Sequence, residues 1–118
     1  MRHLTPDQAA AALRRGKPVE QLLQSEPHDG QPTVKWLTIN PVSDGFVLSA
    51  HHVFDDGIPD VYELTPVDSE EYVGEGVDVG RHAEAEAALE AAGDHGAHSA
   101  RWVNFGMVAD EYADAGEQ

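Results

Sequence analysis

At 118 residues the chain suits one domain, 1–118, with a single core. Its 22 acidic side chains face only 7 Lys and Arg, a formal charge of −15 that repels phosphate backbones and anionic lipid, so neither nucleic acid nor a membrane surface is an expected partner. The absence of Cys excludes disulfides, thiolate zinc sites, iron–sulfur clusters and a cysteine nucleophile, and no apolar run approaches the ~18 residues of a membrane span.

The charge is lopsided. Residues 1–40 carry five basic and four acidic side chains, whereas 41–118 carry two basic and eighteen acidic. A surface of this kind attracts a basic protein. It also suits plain solubility in a high-salt or high-GC background. The opening MRHLTPDQ lacks the apolar stretch of a signal peptide, which points to the cytoplasm.

Thr5-Pro6-Asp7-Gln8 reads as a helix start. Thr5 caps, Pro6 takes the first helical position and Gln8 completes a capping box. Arg14 and Arg15 favour the negative end of the helix dipole, and Gly16 stops the helix. Pro18 predicts a second short helix carrying Val19, Leu22 and Leu23, followed by a loop over Ser25–Pro32.

Val34–Ile39 predicts the first strand, with Asn40–Gly45 turning the chain into the second, so that Ile39 faces Phe46 and Leu37 faces Leu48. Trp36 then falls on the other face, beside Ser49. A side chain of that size predicts a cover, and the C-terminal tail is the expected one. The alternation Phe46, Leu48, Ala50, His52, Phe54 marks the core face of the second strand. A third strand over Asp60–Thr65 would set Tyr62 against His52, Leu64 against Ala50 and Glu63 against His51, and the last pairing would raise the His51 pKa.

Val77–His82 predicts a short fourth strand. Ala83–Ala92 predicts a helix with Ala85, Ala88, Leu89 and Ala92 on its packed side. Trp102–Phe105 reads as a last strand and Met107–Ala113 as a short helix. The expected fold is α+β: an N-terminal helical pair, a mostly antiparallel sheet of four or five strands, one helix packed on it, and a C-terminal strand with a helical tail. Its large core side chains are Trp36, Leu37, Ile39, Phe46, Leu48, Phe54, Tyr62, Leu64, Leu89, Trp102 and Phe105.

Chemistry is sought first between Phe46 and Thr65. His51 and His52 are adjacent on a strand and point to opposite faces, so they do not chelate one ion. Asp55, Asp56 and Asp60 offer oxygen ligands but lack the spacing of a calcium loop, and turn chemistry explains them. No metal or cofactor is therefore assigned. Ser43, Ser49, Ser69 and Ser99 lack a nucleophile-elbow context, and no glycine-rich phosphate loop opens a helix. Arg101, Trp102 and Asn104 form a candidate recognition patch, since Trp and Arg anchor interfaces, although a closing core strand explains them as well.

Two stretches, His51-His52-Val53-Phe54-Asp55 with Asp60-Val61-Tyr62-Glu63 and Arg101–Tyr112 (RWVNFGMVADEY), resemble an uncharacterised family of small acidic bacterial proteins. They span roughly a quarter of the chain. The resemblance implies a compact domain whose hairpin and tail are its distinctive parts. It brings no activity, so no catalytic residue is carried over.

The reading that follows is a non-enzymatic binding or inhibitor module, of the immunity type, for a basic partner. A small enzyme or ligand-binding domain with a pocket near His52, Tyr62 and Glu63 is the alternative, and a structural subunit the third. The chain is expected to be a monomer or a homodimer.

Overall fold

The structure, a computed structural model, describes residues 3–24, 26–27, 30, 32–54, 77–108 and 110–112. Thr5 caps helix α1 (Pro6–Arg14) as the sequence dictates. Its Oγ1 accepts from the Gln8 amide at 3.1 Å while its own amide donates to Gln8 Oε1 at 2.9 Å, a closed capping box. Arg15 and Gly16 end the helix, Gly16 at a φ of 82°.

The next segment is a correction. Val19–Leu23 is not a second helix but strand β1, so the expected helical pair is one helix and one strand. Val19, Leu22 and Leu23 have helical spacing, yet β1 is buried on both sides and its pattern does not alternate. Val19 belongs to the core under α1, while Leu22 packs with Trp36 on the other face.

β2 (Thr33–Val42) and β3 (Gly45–Phe54) form the longest hairpin. Val42 pairs with Gly45 and leaves a two-residue turn, Ser43-Asp44. The register therefore moves by two residues from the expected one: Ile39 faces Leu48, Leu37 faces Ala50 and Trp36 faces His51. A shift of two preserves which side chains share a face. Gly45 takes a φ of 154° as the chain leaves the turn, and its missing Cβ lets His82 approach, since a Cβ there would lie 2.5 Å from the His82 carbonyl oxygen. Pro41 is tolerated within β2 because β1 pairs no further than Ile39, so the missing N–H faces no neighbour on that side.

β4 (Val77–His82) and the two-residue β5 (Val103–Asn104) complete an antiparallel sheet of order β4-β3-β2-β1-β5. A bulge between Leu48 and Ser49 leaves Val79 without a pairing partner, and such kinks protect an outer strand from pairing with another copy. Ala50 is bordered by Leu37 and Val77. The strand expected over Asp60–Thr65, with its pairings of Tyr62, Glu63 and Leu64, lies outside the described residues.

Helix α2 (Ala85–Ala92) buries Ala85, Ala88 and Ala92, and a 3₁₀ turn (Gly93–His95) follows it. Both helices lie on one face of the sheet, over Val19, Leu37, Ile39, Leu48 and Ala50, with Trp102 in the same cluster. Small alanines allow this close approach, and large side chains from the sheet and Trp102 fill the space between. The other face is covered by the tail: residues 108 and 110–112 are helical, and Val108 and Tyr112 pack against Val34, Trp36, Val53 and Leu22. Trp36 is only 2% exposed, as its size required. Phe105 departs from expectation. It stands 57% exposed, beyond the end of the pairing between β5 and β1.

Candidate binding groove

Strand alternation separates the two histidines. His51 pairs with Trp36 and His52 with Lys35, so they stand on opposite faces. On the His51 face a polar row crosses the sheet through Glu20, Thr38, Ser49 and Asp78, which are cross-strand neighbours in that order. Thr38 Oγ1 donates to Glu20 Oε2 at 3.2 Å, and Ser49 Oγ donates to Asp78 Oδ1 at 2.9 Å. Glu20 Oε1 accepts from the Gly106 amide at 2.8 Å, which fastens the start of the tail to β1.

These bonds settle the role of His51. A hydroxyl has one proton, and Thr38 gives its own to Glu20. The 3.2 Å contact between Thr38 Oγ1 and His51 Nε2 is therefore a ring N–H donating to the hydroxyl. An imidazole that donates to a hydroxyl does not activate it, and Thr38 is itself buried. The ring also stacks on Trp36, with centroids 4.7 Å apart and an interplanar angle of 6°. Burial lowers the His51 pKa from 6.5 to about 4. This reverses the expected rise from Glu63, which lies outside the described residues.

The sign of the pH effect follows. With the folded pKa below the unfolded one, the neutral ring contributes stability that is complete above pH 6.5 and is lost as pH falls from 6.5 towards about 4. The wild type should lose about 1 kcal/mol more than His51→Phe between pH 7 and pH 5 in urea unfolding, a figure discounted for water reaching the half-buried ring. Equal losses in the two proteins would contradict this reading of the ring.

His52 belongs to a different environment. It lines a groove of about 1100 Å³ that runs around the end of β1 at the open end of the hairpin. Leu22 and Val34 border it from the Trp36 face and Leu23 from the other, where Lys35 stands across from His52. Glu26 and Pro27 border it, where Thr33 Oγ1 donates to the Glu26 carbonyl at 2.7 Å and closes that loop. The far wall is the 96–101 loop, contributing His98 and Arg101. Gln21 holds this wall: its buried amide Nε2 donates to the His98 carbonyl at 2.8 Å, and its Oε1 accepts from the His98 amide at 2.5 Å.

Of the residues singled out from sequence, the fold brings His52 and Arg101 to one groove. Trp102 is not on a recognition patch; it is 1% exposed, in the core beneath α1. Asn104 is exposed at the end of β5, where its carbonyl accepts from the Met107 amide at 3.2 Å. Asp55, Asp56, Asp60, Tyr62 and Glu63 lie outside the described residues. Gln21, Lys35 and His98 were missed by sequence. Lys35 carries a faint signal, a cation inside the apolar run VKWLTI, but nothing local ties Gln21 to His98 across 77 positions.

The fold and groove together define a small α+β sheet domain with a polar cleft at one end of the sheet. Comparison with family models, curated proteins and solved structures gave no match. Among the described residues no helix is long and apolar enough to cross a membrane, and no three His, Asp or Glu side chains gather as a metal site.

Proposed function

We propose that the protein is a small, non-enzymatic cytoplasmic binding module that takes its ligand in the groove around the end of β1. One observation carries this reading. Segments distant in sequence converge there, and the buried Gln21 is committed to holding the 96–101 wall in place. Binding sites favour concave surfaces in which apolar lining is joined by a few fixed polar groups. Leu22, Leu23 and Pro27 supply the first, and Lys35, His52, His98 and Arg101 the second. A mixed set of neutral, acidic and basic fragments, followed in ¹H–¹⁵N spectra of the full chain, should move the amides of residues 21–24 and 98–101 first. Fragments that scatter over α1, α2 and β4 instead would count against the groove.

A basic protein partner is a second reading, and the charge distribution favours it. Residues 55–76 alone hold eight acids and no Lys, Arg or His. Such a partner would be captured from lysate at low salt and released at high salt, because exposed charge is screened over about 10 Å at 0.1 M. Retention that ignores salt would speak against it.

A further inference from the structure

We infer that the ligand of this groove is a small organic anion carrying two negative charges, a phosphate monoester or a dicarboxylate; this rests on the groove being the binding site. The cations of the fold divide by what occupies them. Arg14 pairs with Glu86, and Arg81 with Asp44 at 3.1 Å. Arg15 and Lys17, also without an ion pair among the described residues, sit at the C-terminal end of α1, where the helix dipole favours positive charge, and do not line the groove. Among the described residues that leaves Lys35 and Arg101. Neither has an ion-pair partner there, and both line the groove.

In a chain with 22 acids and 7 Lys and Arg, two cations in one cleft with no ion-pair partner among the described residues run against the charge of the whole molecule. Glu26 is the single acid among the described residues that line it. Lys35 comes from β2 and Arg101 from the segment leading into β5, so β1 lies between them in the sheet. A ligand that meets both needs negative charge at two points, or one doubly charged group. A guanidinium matches the fork of a carboxylate or phosphate, an ammonium adds a point charge, and the His98 ring adds an N–H donor. At about 1100 Å³ the groove exceeds a bare inorganic ion. Leu22, Leu23 and Pro27 suit a carbon skeleton.

The test titrates the full chain with phenyl phosphate, isophthalate, benzyl alcohol and benzylamine, read by ¹H–¹⁵N spectra on the wild type and on K35Q/R101Q. At least one of the two dianions should move the amides of Leu23, Lys35, His98 and Arg101, and the stronger of them identifies the acidic group. Its affinity should fall at least tenfold in K35Q/R101Q, and benzylamine should leave these amides unmoved. R101Q alone serves if the double variant unfolds, since Arg101 is exposed; it should still weaken the dianion severalfold. Benzyl alcohol or benzylamine binding there in preference to both dianions would overturn the anion assignment and leave the groove standing. No response to any of the four would overturn both.

Discussion

Glu20→Ala should destabilise the fold by about 2–4 kcal/mol, read as a lower urea midpoint, because it strips a buried carboxylate from two donors at once. Glu20 is 0% exposed, Oε2 receives the Thr38 hydroxyl and Oε1 the Gly106 amide. Without it the buried Thr38 hydroxyl loses its acceptor, the Gly106 amide at the exposed start of the tail loses its anchor, and the buried side chain leaves a space behind. Out of a typical total of about 5–15 kcal/mol this is a large loss. The loss should also have a location. Gly106 has a φ of 93° where the chain leaves β5 for the helical residues over Trp36, and the bond to Glu20 fixes that departure. Hydrogen exchange at Gly106 and Val108 should therefore accelerate before exchange in β2 and β3. Glu20→Gln keeps an acceptor and the shape, and should lose about half as much. A loss below about 1 kcal/mol in Glu20→Ala, with exchange at Gly106 and Val108 unchanged, would show that the carboxylate does not hold the tail.

Trp102→Ala should lose about 3–5 kcal/mol, enough to leave the chain close to unfolding at room temperature. The core under α1 and α2 is built largely of alanine, with Ala9, Ala10, Ala85, Ala88 and Ala92 all buried, so one indole fills space that several larger residues would share elsewhere. Its carbonyl also accepts the Leu4 amide at 2.7 Å, which ties the start of the chain to the segment before β5. The neighbouring Arg101→Gln should change stability by less than about 0.5 kcal/mol, as surface substitutions do. Adjacent residues with such different responses would separate core from groove within the RWVN segment. Similar small losses at both would place Trp102 outside the core.

How far the sequence carried this account depends on how local each determinant is. The α1 capping box lies within four residues and was fully legible, as was the alternation that puts Leu37, Ile39, Leu48 and Ala50 on one face. Trp36 announced its cover by size alone. β1 was misread because alternation needs one wet face, and β1 has none. Its polar residues, Glu20 and Gln21, are satisfied by Gly106 and His98, 86 and 77 positions away. The hairpin register was misplaced by two because turn length, set by the return at Gly45, decides it once the face pattern permits more than one solution. The groove was legible only at His52 and Arg101. Lys35 and His98 reach it through the pairing of β2 with β3 and through the side chain of Gln21, and neither link is local.

The central claim is that strand alternation divides the histidine pair, giving His51 to packing and His52 to the groove. Long-range ¹H–¹⁵N spectra of the imidazoles test it most directly, recorded from pH 7 to below 4 with and without the dianion that binds. The account predicts that the His51 ring stays neutral, with its proton on Nε2, until near pH 4 and ignores the ligand, whereas the His52 ring shifts when ligand is added. A His51 ring that protonates near its ordinary value of 6.5, or that moves with the ligand while His52 does not, would contradict it.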